Sequence, residues 1–204
     1  NRSFSDFTVE NGAIRFGLSA LKNVGSGSVA DIIAEREKKG NYADYWDFCE
    51  RMNSYNMNKK VMESLVKAGA FDTLSIKRKK AFESIERVIE LSQKLRREKD
   101  TNQVSLFGED STENIFSSQL EDIPDREWSE HEKLSYEKEI VGLYLSGQPL
   151  AKYRDELQNL SNISLASLET YSEGTQAVVG GIINNFRFVK TKKGDGRFCV
   201  IDFE

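Results

Sequence analysis

Two short runs in this 204-residue chain carry residue types whose spacing suits binding chemistry. The first is Gln103-Val104-Ser105-Leu106-Phe107, set in a stretch crowded with carboxylates. Leu106 and Phe107 would be poor choices for a spacer but suit a short peptide that docks on another protein. They would fill an apolar pocket while the Gln103 amide, both donor and acceptor, fixes the register. The second run is Leu18, Leu21, Val24, Gly25, Ile32 and Ile33, which fits the spacing of a helix-hairpin-helix. That motif exposes the N-terminus of its second helix, where free backbone N–H groups and the positive helix end form an anion site. Glycine lets the backbone come close to a phosphate. The residues expected to grip DNA phosphates are Lys22, Asn23, Val24, Gly25, Ser26, Gly27 and Ser28, a contact that adds affinity without reading bases. Asn23 stands where the motif usually carries its first glycine, and Asn tolerates the left-handed conformation that the turn needs. Val29 stands where alanine is common, with Ala30 beside it as a compensating small residue.

A second, degenerate hairpin-helix unit is expected over Leu65 to Phe82, turning at Gly69-Ala70-Phe71. Lys77, Arg78, Lys79 and Lys80 open the following helix, where positive charge opposes the helix dipole and an external anion would relieve the conflict. These four residues complete the expected DNA-binding set. No catalytic constellation is present. His131 sits between Glu130 and Glu132 on a helix of alternating charge and reads as a solvated surface residue. Glu137 and Glu139 are two apart and point to different faces. P-loop, nucleophile-elbow and CxxC patterns are missing.

The elements that position these runs follow from periodicity. Phe4 to Val9 and Ile14 to Leu18 read as strands joined at Asn11-Gly12. Helices follow from Ser28, as N-cap, to about Lys39 and from Asn58 along Val61, Met62, Leu65 and Val66. A long basic helix runs from about Ser75 to Lys99, burying Ala81, Phe82, Ile85, Val88, Ile89 and Leu95. Tyr45, Trp46 and Phe48 form an aromatic core cluster. From Asp100 to Glu127 periodicity lapses, and a linker is expected. A helix returns over about Ser129 to Leu145, ended by Gly147-Gln148-Pro149, with a short helix after Pro149. Alternating residues from Thr175 to Val189, a turn over 192–196 and a strand Arg197 to Phe203 read as a β-hairpin.

Charge is polarised. Ser75 to Lys99 holds nine Lys/Arg against four Glu, while Asp100 to Glu139 holds twelve Asp/Glu against three Lys/Arg, within a net charge of −4. The basic block suits nucleic acid; two solvated faces that offset each other would give the same pattern. Cys49 and Cys199 read as free, partly buried thiols of a cytosolic protein. No apolar run approaches the roughly 20 residues needed to cross a bilayer. The chain starts without Met and ends inside the expected last strand, so a piece of a longer protein is expected.

The run Ile14-Arg15-Phe16-Gly17-Leu18-Ser19-Ala20-Leu21-Lys22-Asn23-Val24-Gly25 resembles the alpha subunits of bacterial DNA polymerase III, in their main replicative (DnaE-type) form. So do Asn58 to Asp72, Glu137-Lys138-Glu139 with Gly142-Leu143-Tyr144-Leu145-Ser146-Gly147, and Thr191-Lys192-Lys193-Gly194. Gln148 departs from the histidine common in that family. The resemblance implies a mainly α fold: a short β-hairpin and tandem helix-hairpin-helix at the end of the fingers (1–99) and an acidic linker (100–128). A helical connector (129–162) and the incomplete start of an OB-fold, a β-barrel associated with single-stranded nucleic acid (163–204), complete it. It implies a non-catalytic part of a DNA-directed DNA polymerase, with duplex DNA and the sliding clamp as partners. Gln103, Val104, Ser105, Leu106 and Phe107 would be the clamp-binding peptide. Other holoenzyme subunits would meet the rest of the protein, with no membrane contact. No cofactor is implied here, Mg2+ belonging to the full-length enzyme. A stand-alone helix-hairpin-helix DNA-binding or scaffold protein and a damage-tolerance polymerase of the same family are the alternatives.

Overall fold

Asn11 (φ 51°) and Gly12 (φ 76°) adopt the left-handed conformations of a tight hairpin turn in the computed structural model of the chain. They join β1 (Thr8–Glu10) to β2 (Ala13–Arg15) with Val9 opposite Ile14. Both strands are shorter than the sequence suggests. Residues 16–19 instead pack against the segment before β1, with Leu18 and Ser19 N–H donating to the carbonyls of Phe4 (2.8 Å) and Ser5 (3.1 Å). The structure describes residues 1–55, 57–100, 116, 118, 120–191 and 196–203. They form two compact units, Asn1–Ser146 and Gly147–Glu204.

In the first unit a single 3₁₀ turn, Leu18–Ala20, precedes α1 (Ser26–Lys39), where the sequence pattern suggests a full helix. Helix α1 begins three residues earlier than predicted, with Gly25 rather than Ser28 as its N-cap. Gly40 (φ 83°) ends it. Val29 is buried and Ala30 exposed, so the larger residue packs and its neighbour compensates for nothing. Two charged side chains are also buried on α1. Glu35 is held by Lys39 (2.9 Å), Arg51 (3.3 Å) and the Tyr55 hydroxyl (2.9 Å), and the Arg36 guanidinium donates to the Ser3 carbonyl (2.7 Å).

Helix α2 (Tyr45–Met52) is capped by Asp44, whose carboxylate accepts from Asp47 N–H at 2.9 Å. It carries the expected aromatic cluster. Tyr45 and Phe48 are buried and meet Phe71 edge-on at 5.1 and 4.8 Å, although Trp46 is only half-buried. The Tyr45 hydroxyl is satisfied by Ser84 Oγ (3.1 Å). Cys49 is buried and Cys199 exposed, both free thiols, so only Cys49 behaves as a core residue. Helix α3 (Lys59–Lys67) is capped by Asn58, and its predicted stripe is buried. It closes in a Schellman turn: Ala70 N–H reaches Leu65 O (2.9 Å) and Gly69, at φ 74°, bends the chain. Helix α4 (Arg78–Asp100) packs on α3 and adds Leu91 to the expected buried face.

The stretch expected to be a linker is not one throughout. Phe116, Leu120, Ile123 and Trp128 are buried in the same core as α1 to α4. Four large apolar side chains were spaced too irregularly to register as an element, yet hydrophobic burial needs no periodicity. Helix α5 (Glu130–Val141) starts with a Ser129/Glu132 capping box and ends at Gly142 (φ 84°), four residues before the predicted stop. Its residues Leu134 and Ile140 are buried, and α5 packs on α3. The first compact unit therefore runs through α5 to Ser146, where the sequence placed a separate connector over 129–162.

The second unit holds a 3₁₀ turn (Ala151–Tyr153), α6 (Arg154–Leu160), a further 3₁₀ segment (Leu165–Thr170) and the antiparallel pair β3 (Ile183–Lys190) and β4 (Arg197–Phe203). Asn162 N–H and side chain clasp Val178, at 3.0 and 2.7 Å. Ile183, Phe186, Phe188, Phe198 and Ile201 are exposed on the hairpin. The chain is thus mainly helical, with a short β-hairpin near each end. Among the described residues no helix is long and apolar enough to cross a membrane.

Candidate nucleic-acid interface

The first hairpin joins a loop, Lys22 to Gly25, to the first turn of α1, Ser26 to Ser28; Val24, expected in the DNA-binding set, is buried and faces the core instead. Leu21 is buried as well, and Val24 N–H donates to Leu21 O (3.2 Å). Two contacts fix the loop to other elements. Lys22 N–H donates to Ile140 O on α5 (3.1 Å), and Asn23 Nδ2 donates to Ser64 Oγ on α3 (3.3 Å). Asn23 has φ 66°, the left-handed conformation expected of the residue in the motif's glycine position. The Lys22 side chain is exposed.

Gly25, Ser26 and Gly27 are exposed and Ser28 is half-buried. The first intrahelical bond is Val29 N–H to Gly25 O (3.2 Å), so the N–H groups of Ser26, Gly27 and Ser28 belong to the helix's unsatisfied first turn. Gly25 has φ −74° and accepts any side chain conformationally. A Cβ at Gly25 or Gly27 would meet nothing within 4 Å. The fold therefore makes no demand for glycine at either position, and the open backbone is available to an outside anion. No carboxylate lies in the first turn of α1.

The basic cluster of the second hairpin-helix, within the same compact unit, has a different fate. Arg78 is buried: its guanidinium forms a fork with Asp72 (2.8 and 2.6 Å), and its other nitrogen reaches Glu137 Oε1 at 2.8 Å. Arg78 is thus a structural residue and not the exposed phosphate ligand expected from sequence. Glycine is favoured at position 69 by its φ of 74°, and a Cβ there would also crowd the Arg78 guanidinium that Asp72 and Glu137 hold in place. Lys77 Nζ is paired with Asp125 (2.9 Å), while Lys79 and Lys80 are half-buried. The anion that relieves the charge at the α4 N-terminus is internal. The Glu127 carboxylate accepts the N–H groups of Arg78 and Lys79, both at 3.3 Å.

Glu137 and Glu127 are structural carboxylates whose partners the sequence did not reveal. Glu137 has no exposed surface and accepts Leu145 N–H (2.7 Å) and Ser146 N–H (2.9 Å) besides Arg78. Burial pushes its carboxyl up, but hydrogen bonds from Ser146, Arg78 and Leu145 more than offset this and hold it below the usual carboxylate range. A readable signal existed: Glu137 lies in helical phase between Leu134 and Ile140, an acid on an apolar stripe. Glu139, paired with Lys67 at 3.0 Å, is exposed on another face, as expected, and so is His131. Gln103 to Phe107 lie outside the described residues. Among the described residues no group of three or more His, Cys, Asp or Glu is placed to hold a metal.

Comparison with known proteins agrees with the loop geometry. The family described as the helix-hairpin-helix motif matches residues 1–81. The chain is 34% identical over 199 residues to the DNA polymerase III subunit alpha of Borreliella burgdorferi, covering 98% of this chain and 17% of that protein. It is 37% identical over 202 residues to the subunit of Saccharopolyspora erythraea, with 95% and 17% covered. With the subunit of Aquifex aeolicus the identity is 35% over 196 residues, with 96% and 15% covered. By sequence the chain belongs with the DNA polymerase III alpha subunits, spanning about one sixth of the length of the relatives it matches.

Proposed function

We propose that this chain is a non-catalytic part of a DNA-directed DNA polymerase, in which it grips duplex DNA by its phosphates and carries a sliding-clamp peptide. The observation that carries the DNA reading is the open first turn of α1. Three backbone N–H groups of the first turn lie at two exposed glycines that the fold itself does not require, with an exposed Lys22 in the preceding loop. Backbone donors at a helix N-terminus bind phosphate oxygens without sequence preference, which suits an enzyme that must slide. Within this proposal Gln103 to Phe107 tether the enzyme to a clamp around DNA, turning rebinding into an intramolecular event. Residues from about Ile163 begin an OB-fold, of which β3 and β4 form the first hairpin. Any metal chemistry, Mg2+ included, belongs to the rest of the enzyme, and the setting is the bacterial cytoplasm, the matched relatives being bacterial.

The test is duplex binding by fluorescence anisotropy, with Gly25→Asp and Gly27→Asp placed where a phosphate would sit. Both positions have space for a side chain, so the fold is retained while affinity falls at least ten-fold in about 50 mM salt. Equal affinity in wild type and both variants refutes the phosphate site. For the tether, Leu106→Ala/Phe107→Ala abolishes binding to the sliding clamp with circular dichroism unchanged; undiminished clamp affinity rejects that assignment.

A further inference from the structure

The acidic segment Asp122 to Glu127 engages Lys77 just before α4, the first N–H groups of α4 and Arg87 further along it. Asp122 takes Arg87 with both oxygens (2.7 and 2.9 Å). Asp125 takes Lys77 at 2.9 Å, and its carbonyl takes the same ammonium at 3.3 Å. Glu127 caps the helix, one oxygen on Arg78 N–H and the other on Lys79 N–H, and it is further held by Trp128 N–H (2.8 Å) and Lys133 (3.2 Å). Ile123 and Trp128, each 7% exposed, anchor the segment in the core. Two consecutive helix N–H groups each receiving one oxygen of a single anion is the arrangement a phosphate would adopt there. The first turn of α1 carries no acidic residue of its own, and among the described residues no carboxylate is hydrogen-bonded to its N–H groups.

We infer that Asp122, Asp125 and Glu127 act as an internal substitute for nucleic-acid phosphates, closing the second hairpin-helix to DNA and leaving the first as the open one. Exposed ion pairs are individually weak. Here, however, the carboxylates are pre-positioned by buried neighbours, so an incoming phosphate competes with anions at high effective concentration. It also meets their repulsion. The inference explains the charge polarity of the chain, because part of the acidic block neutralises the basic block it follows. It rests on the DNA reading proposed above, and the experiment separates the two.

Binding of the 204-residue chain to a labelled 20-base-pair duplex is measured against salt for wild type, Asp122→Asn/Asp125→Asn, and the same pair with Glu127→Gln. The double variant leaves the helix cap in place should the triple variant misfold. Expected is affinity at least about ten-fold tighter in about 50 mM salt, with the log–log salt slope steeper by about one per contact recovered. Lys77→Ala should reverse part of that gain in the neutralised chain and change little in wild type. Unchanged affinity on neutralisation, or a Lys77→Ala loss equal in both backgrounds, overturns the inference. If Gly25→Asp has no effect while neutralisation tightens binding, the first-hairpin reading fails and the substitute stands; the converse result sinks only the substitute. Absence of binding by every variant refutes both.

Discussion

Replacing Glu137 with Ala removes the buried junction between the second hairpin, α4 and α5. Three hydrogen bonds disappear, from Arg78 (2.8 Å), Leu145 N–H (2.7 Å) and Ser146 N–H (2.9 Å). Breaking one side of a buried ion pair costs about 3–5 kcal/mol, because the remaining charge is left without its partner. Asp72 still forks Arg78, which argues for the low end, and the two freed backbone donors add about 1 kcal/mol if water reaches them. The expected loss is therefore about 4 kcal/mol. Trp46 and Trp128, the only two tryptophans, both lie in the first unit, so their fluorescence follows its urea unfolding separately from the second. With a urea slope of about 2 kcal/mol per molar, the midpoint falls by about 2 M. Glu139→Ala, which removes an exposed pair on the same helix, is the control and shifts stability by less than about 1 kcal/mol. A Glu137→Ala midpoint no lower than that of Glu139→Ala would show that the junction is not what holds α5 in place. Replacing the pair together, as Arg78→Met/Glu137→Leu, should recover much of the loss, since apolar isosteres avoid the desolvation that a buried pair carries.

Acid should loosen the first unit through the same residue. The Glu137 carboxyl is depressed in the fold, so its stabilisation is complete above the unfolded value of about 4.3 and is lost as pH falls through its lower folded value. In Glu137→Gln this part of the acid limb is missing, as urea midpoints between about pH 3 and 7 will show; an identical acid limb in both proteins rejects the assignment. Gly17→Ala should destabilise the N-terminal hairpin, because a Cβ would lie 2.6 Å from the Ser5 carbonyl oxygen and from the Asp6 carbonyl carbon. Faster proteolysis of residues 1–15 is the readout, and wild-type protection in Gly17→Ala refutes the packing. Gly69→Ala combines a positive φ with a clash against Arg78 and should lower the first unit's midpoint, whereas Gly25→Ala should not. Equal midpoints for the two would contradict the geometry.

Local chemistry was legible wherever one short stretch carries its own instruction. Asn11-Gly12 specified a hairpin, Asn58 a helix start and Asn23 a left-handed turn, each set by a few residues of chain, while the apolar steps of α3 marked a face to be buried without naming the α4 and α5 residues that cover it. The proposed phosphate site before α1 is local in the same sense, since its backbone donors and the glycines beside them are neighbours in sequence. Helix boundaries were less legible, because Gly25 and Ser28 are both acceptable N-caps and local sequence does not choose between them. What only the tertiary structure decided is which charges are free. Arg78 and Lys77 look alike as members of a basic cluster, yet partners six to fifty-nine residues away bury one and neutralise the other. Glu127 looked like one more acid in a linker until Ile123 and Trp128, buried in a core built from α1 to α4, placed its carboxylate on the α4 N-terminus. Periodicity records the face an element presents; it carries no record of which distant side chain will meet it, and in a charge-rich chain that meeting determines which cations remain to bind anything else.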